Sequence, residues 1–216
     1  MLAVTARPYT PGPMSRIVVP QNPRSERTRA AVLDAAWRLL QEHGPEAATM
    51  TAVADAAGIS RRGLYLHFAS RADLLTALVA HVDRELDLEG SLRPIREAPD
   101  SLTALDEWVR HLTTYHARLR PVLEAVDRAR ATDPDAAAMW DHAVQGWRSG
   151  THHLAAWLER EGHLAPGWTV PTAADALWAL TVGFNRLWGA LVEERGWSAE
   201  DARAFLRRLH RATLVA

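Results

Sequence analysis

The chain has 216 residues, enough for one large domain or two small ones and for a buried core that needs no staples. Apolar residues make up 48% and charged residues 24%, a globular composition. The absence of cysteine excludes a disulfide framework, a thiol nucleophile and a thiolate metal site, and no uncharged apolar run nears the ~18 residues of a membrane span.

The N-terminus also lacks the apolar core of a signal peptide, so a soluble, cytoplasmic protein is expected. All 25 basic residues are arginine, which with the abundant alanine reads as a composition bias of the whole chain. The net charge of −1 hides an asymmetry: residues 1–84 carry ten Arg against seven acidic residues (+3), and residues 85–216 carry fifteen against nineteen (−4). An excess of +3 does not establish nucleic-acid binding; the positions of the charges must decide.

Residues 1–23 hold five of the twelve prolines and no acidic residue, and are expected to form a disordered arm. They are either a leader ahead of a start at Met14 or a basic arm whose Arg7 and Arg16, with Arg24, Arg27 and Arg29 beyond, reach a phosphate backbone. From Arg24 the pattern is helical. Val32, Ala36, Leu39 and Leu40 share one face of a first helix that stops at Gly44-Pro45. Thr49 caps a short second helix over 50–57, Gly58 ends it, and Ser60 caps a third that runs to about Phe68. Ser70, with Asp73 three residues on, opens a fourth in which Leu74, Leu75, Leu78 and Val79 turn inward.

The Pro94–Pro99 stretch breaks the chain. Further helices are predicted near 101–118, 121–131, 134–161, 172–195 and 198–213, opened by Asp100/Ser101, Pro121, Asp133-Pro134, Thr172 with Asp175, and Ser198 with Asp201. No alternating strand pattern occurs. The fold class is therefore all-α with about nine helices.

The pair of short helices over 49–68, TMTAVADAAGISRRGLYLHF, has the layout of a helix-turn-helix: a tight turn at Gly58, small Ala54 and Ala57 at the crossing, and Ile59, Leu64 and Phe68 as apolar pins. The exposed face of its second helix carries Arg61 and Arg62, whose guanidinium forks suit guanine O6/N7 in a major groove.

From about Arg24 to Val82 the sequence resembles the N-terminal domain of the TetR family of bacterial transcriptional repressors. The marks are Val32-Leu33-Asp34-Ala35-Ala36, Gly44, Thr49-Met50, Val53-Ala54, Ala57-Gly58-Ile59-Ser60, Leu64-Tyr65-Leu66-His67-Phe68 and Ser70-Arg71-Ala72-Asp73-Leu74-Leu75, over about a quarter of the chain. The resemblance implies a DNA-binding surface in which Arg61, Arg62 and Tyr65, with Ser60 and Gly63, approach bases. It places Thr49, Thr51, His67 and Arg71 at phosphates or groove edges. Two residues depart from the family pattern. Gly63 costs about 1 kcal/mol of helix propensity but admits close approach to DNA, and Leu66 forgoes a phosphate contact.

The implied organisation is an arm (1–23), a helix-turn-helix domain (24–70), a connecting helix (71–84) and a helical effector-binding and dimerisation domain (85–216). In that last region Trp140, Ala143, Trp147, Gly150, Leu154 and Trp157 form an apolar stripe. Trp108, Trp140, Trp147 and Trp178 are expected to line an aromatic cavity, with His111, Tyr115 and Asn185 supplying polar contacts, for a flat or hydrophobic small-molecule effector. Plain core packing explains the same stripes. The helices 172–195 and 198–213 are assigned to a homodimer interface, on the family resemblance as much as on pattern.

His111 and His116, five apart, and the adjacent His152 and His153 do not share helix faces, so no metal or other cofactor is expected. No phosphate loop, serine elbow or paired-carboxylate cleft suggests catalysis. The expectation is a ligand-responsive regulator, most simply a repressor that leaves a palindromic operator when its effector binds. The alternatives are a helical enzyme or binding module with a structural helix-turn-helix, and a non-specific architectural DNA binder.

Overall fold

The computed structural model describes residues 23–216, so the expectation of a disordered arm falls outside the described residues except for Pro23, which opens α1. Ten α-helices follow: α1 (Pro23–His43), α2 (Met50–Ala56), α3 (Arg61–Tyr65), α4 (Arg71–Glu85), α5 (Leu88–Arg96), α6 (Ser101–His111), α7 (Ala117–Ala129), α8 (Pro134–Arg160), α9 (Val170–Trp188) and α10 (Ala199–Leu214). A π-helical turn at Leu112–His116 joins α6 to α7, and another at Gly189–Glu194 extends α9. Among the described residues the only β feature is a single antiparallel bridge, Leu164 to Val215, and no helix is long and apolar enough to cross a membrane.

The all-α architecture is as expected, but several element boundaries differ. A helix the sequence reading missed, α5, occupies part of the expected break. It starts at Asp87, whose left-handed backbone (φ 50°) turns its carboxylate onto the Gly90 N–H at 3.0 Å. Pro94 lies inside its last turn, where it removes the N–H that would have bonded the Gly90 carbonyl. The predicted gap between 118 and 121 does not exist. Thr113 and Thr114 turn their hydroxyls back onto the carbonyls of Val109 and Arg110 (3.0 and 2.7 Å), and the backbone widens there into a π turn without stopping. Pro121 sits inside α7 one turn beyond. Finally, α9 starts a turn early, because Thr169 and Thr172 form a reciprocal capping box ahead of the expected Thr172 cap.

The described chain divides into two compact units, one of residues 23–86 with Leu119–His142, the other of Asp87–Arg118 with Ala143–Ala216. The division differs from the sequence-based one, which assigned 119–142 to the C-terminal region. In the first unit α1, α2, α3 and α4 bury Val32, Ala36, Leu40, Val53, Leu64, Phe68, Leu74 and Leu78 completely or nearly so. Asp34 of α1 meets the buried His81 of α4 at 2.7 Å. In α7, Val122, Leu123 and Val126 are buried, and Arg128 pairs with Glu46 at 3.3 Å. Arg130 lies 4.9 Å over the ring of Trp140.

The second unit is built on a core of Leu105, Trp108, Leu112, Leu154, Leu177, Phe184, Trp188 and Leu206. Arg211 of α10 makes a bidentate bond to Asp106 of α6, both contacts 2.9 Å, and Trp168 donates to the Thr213 carbonyl at 2.7 Å.

Candidate nucleic-acid interface

The end of α2 is a Schellman motif. The Gly58 N–H donates to the Asp55 carbonyl and the Ile59 N–H to the Ala54 carbonyl, with Gly58 at φ 67°, where only glycine is unstrained. Ser60 then caps α3, accepting from the Gly63 N–H at 3.0 Å. The third helix is shorter than expected, five residues ending at Tyr65, because Leu66, His67 and Phe68 close onto the Gly63 and Leu64 carbonyls in a tightened last turn. Leu64 and Phe68 are fully buried and anchor this segment from beneath. Arg29 of α1 holds its far end, donating to the His67 carbonyl at 2.6 Å while its guanidinium lies 4.1 Å over the Phe68 ring. Burial, opposed in part by Asp73, lowers the Arg29 pKa from its usual value. Arg29 is therefore engaged inward, not free for the phosphate reach considered from sequence.

With α3 fixed in this way, Arg61 and Arg62 are exposed side by side, and Arg61 lies 5.8 Å over the ring of Tyr65, itself 44% exposed. A Cβ at Gly63 would meet only the Ser60 hydroxyl, at 3.2 Å. Thr51 is exposed at the start of α2, and Thr49 is exposed too, although its hydroxyl accepts the Ala52 N–H at 3.2 Å as the cap. His67 is half-buried, and burial together with Arg29 lowers its pKa, so the ring is neutral at pH 7 with one N–H to donate.

Arg71 departs from expectation. Its Nε donates to the Ala48 carbonyl at 2.9 Å and its Nη2 to the Pro45 carbonyl at 3.0 Å, so it staples the α1–α2 loop to α4. The reason is geometric: that loop leaves carbonyls facing α4, and the guanidinium fork is the nearest donor. Leu66, expected only to forgo a phosphate contact, is 69% exposed. The available signal was its place between the buried positions 64 and 68.

In the second unit, the structure brings together four of the seven expected effector residues. His111 stacks on Tyr115 (ring centroids 5.0 Å apart, 12° between planes), Trp108 lies 6.0 Å from His111, and Trp147 lies 5.6 Å from His116. The cluster includes His116, which was not expected there. In an α-helix residues five apart diverge, but the π turn at 112–116 brings the His111 and His116 rings to 5.0 Å. Burial pushes His116 down to about 4, and burial with His116 and Arg110 nearby pushes His111 well down, so both rings are neutral. His111 Nδ1 is bonded to the Ser91 hydroxyl at 2.8 Å, while the buried Trp108 indole N–H has no acceptor.

Trp178 is elsewhere. Arg148 covers its ring at 4.7 Å beside an open groove of about 260 Å³ that Thr151, His152 and Asp175 help line. Trp140 belongs to the first unit, and Asn185 is half-buried on α9.

Residues 32–78 match the profile of a family described as bacterial regulatory proteins, tetR family. The transcriptional repressor LfrR of Mycolicibacterium smegmatis is 47% identical over 57 residues, 26% of this chain and 29% of LfrR. The repressor BepR of Brucella suis is 26% identical over 172 residues, 74% of this chain and 80% of BepR. A putative transcriptional regulator from Saccharomonospora viridis, solved in complex with choline, aligns with a TM-score of 0.70 and 19% identity, over 88% of this chain and 99% of that one. The chain spans 29% of LfrR and 37% of a second curated relative, ArpR of Pseudomonas putida. The N-terminal helices, with their outward pair of arginines, carry the match to the N-terminal domain of the tetR family of bacterial regulatory proteins.

Proposed function

We propose that this protein is a ligand-responsive transcriptional regulator, most simply a repressor, that acts as a homodimer on a palindromic operator. The observation that carries the reading is the outward pair Arg61 and Arg62 on a short helix whose two flanking anchors, Leu64 and Phe68, are fully buried. Arg61, Arg62 and Tyr65 approach base edges, Ser60 and Gly63 allow close contact of the backbone, and Thr49, Thr51 and His67 meet phosphates. Arg71 acts from behind, holding the loop that positions α2. Two copies of α3 would enter successive major grooves about one helical turn apart.

The dimer forms through α9 and α10, a reading supported by Leu180, Leu187, Leu191 and Leu209, which remain only half-buried within one chain. The effector binds at the Trp108, His111, Tyr115 and Trp147 cluster. The unpartnered Trp108 N–H awaits an acceptor, and the neutral rings suit an aromatic or hydrophobic molecule carrying one. Release from DNA requires that the effector favour one dimer state over the other, since equal affinity for both shifts nothing.

The test is fluorescence anisotropy of the purified protein on duplexes tiling the DNA upstream of its own gene. The wild type should bind one tile specifically. Arg61→Ala/Arg62→Ala should lose at least about thirtyfold in affinity, from two base contacts of ~1–3 kcal/mol each, with unchanged melting. A wild type that binds every duplex equally at physiological salt is an architectural binder. One that binds none is a helical enzyme or binding module.

A further inference from the structure

We propose that Leu66 is a specificity-determining residue that reads the 5-methyl group of thymine in the operator; the inference rests on the regulator reading above. Among the described residues only three large hydrophobic side chains stand substantially exposed, and two of them, Tyr65 (44%) and Leu66 (69%), are adjacent at the end of the recognition helix. Leu66 keeps helical backbone angles (φ −74°, ψ −19°), so it shares a face with Arg62 four residues before it. The surface is thus a strip of one guanidinium and one branched apolar end. Its backbone is held on both sides, by the buried Leu64 and Phe68 and by Arg29 at the His67 carbonyl.

A leucine end neither donates nor accepts, so a phosphate oxygen gains nothing from it. On the major-groove edge of an unmodified base pair the apolar partner is the thymine methyl, while the guanidinium beside it suits guanine O6/N7. The two exposed arginines favour a polyanion over an apolar protein groove as the occupant of this strip. The half-site should therefore place a thymine near the guanine read by Arg62.

The experiment uses the full-length protein to select duplexes from a random pool. Each thymine of the selected sequence is then replaced singly by deoxyuridine, which deletes the methyl and leaves base pairing intact. One position per half-site should weaken wild-type binding about fourfold, the value of one buried methyl group, and about fifteenfold when both half-sites are changed. Leu66→Ala, which melts like the wild type, should bind more weakly and be indifferent to uracil at that position. Uracil without effect at every position overturns the proposal. So does an equal uracil effect in wild type and Leu66→Ala, which assigns the methyl to another side chain. A Leu66→Ala loss shared by all duplexes, random ones included, places Leu66 on the sugar-phosphate backbone and also overturns it. Failure to enrich any duplex refutes the regulator reading itself, a visibly different outcome.

Discussion

Replacing Arg71 separates two roles that a basic residue in this position can play. Its guanidinium donates to the Ala48 carbonyl at 2.9 Å and the Pro45 carbonyl at 3.0 Å, across the loop between α1 and α2. A hydrogen bond from a charged donor contributes ~1.5–3 kcal/mol, and the half-buried setting lets water replace part of each, so Arg71→Ala should cost about 2–3 kcal/mol in total. At this chain length that corresponds to a fall of roughly 5–10 °C in melting temperature. Arg71→Lys should recover less than half, because one ammonium cannot reproduce a planar fork across two carbonyls. Thermal unfolding followed by circular dichroism gives the first number. The second is the slope of log affinity against log salt for the selected operator, measured well below the melting temperature of the variant. A phosphate contact contributes about 0.9 to that slope. An inward staple leaves the slope unchanged while stability drops. An unaltered melting temperature, with a slope reduced by about one per subunit, would refute the reasoning and return Arg71 to the DNA backbone.

Three further expectations follow from single observations. A Cβ at Gly90 would lie 2.0 Å from an Asp87 carboxylate oxygen, so Gly90→Ala must expel the cap of α5 and lose about 1 kcal/mol, readable by urea unfolding, whereas Asp87→Asn should be tolerated because asparagine both caps and accepts φ 50°. His116 has its pKa depressed by burial from 6.5 to about 4, so the unfolded chain binds the extra proton between those values. Its contribution is complete above pH 6.5 and is lost as pH falls toward 4, by roughly 3 kcal/mol. Melting from pH 7 to 4.5 should show that decline, and His116→Phe should lessen it, the buried His111 supplying part of the remainder. Arg29→Met should weaken operator binding several-fold with Arg61 and Arg62 intact, because the end of α3 loses its tie at the His67 carbonyl; unchanged affinity would deny Arg29 that positioning role.

Local chemistry made the N-terminal helices legible. Gly58 could serve only a left-handed turn, Ser60 and Ser70 could cap only what followed them, and the spacing of Leu64 and Phe68 left Arg61 and Arg62 facing outward. Those signals act within four or five residues, the range over which sequence alone dictates conformation. The cap at Asp87 was equally local but was hidden by the more conspicuous prolines after it.

What the tertiary structure decided depends on partners distant in the chain. Whether Arg71 and Arg29 meet DNA or protein rests on carbonyls 23 to 38 residues away, which no periodicity encodes. The π turn at 112–116 shifts the helix register by a fraction of a turn, enough to set His116 against His111 and Trp147 and to defeat the spacing rule that kept them apart. Trp140 and Trp178 were drawn into one expected cavity because they share a residue type and a helical period. Within their own units, Arg130 lies over the ring of Trp140 and Arg148 over that of Trp178. Periodicity states which face of a helix is apolar; only the packing of the neighbouring helices determines what that face meets.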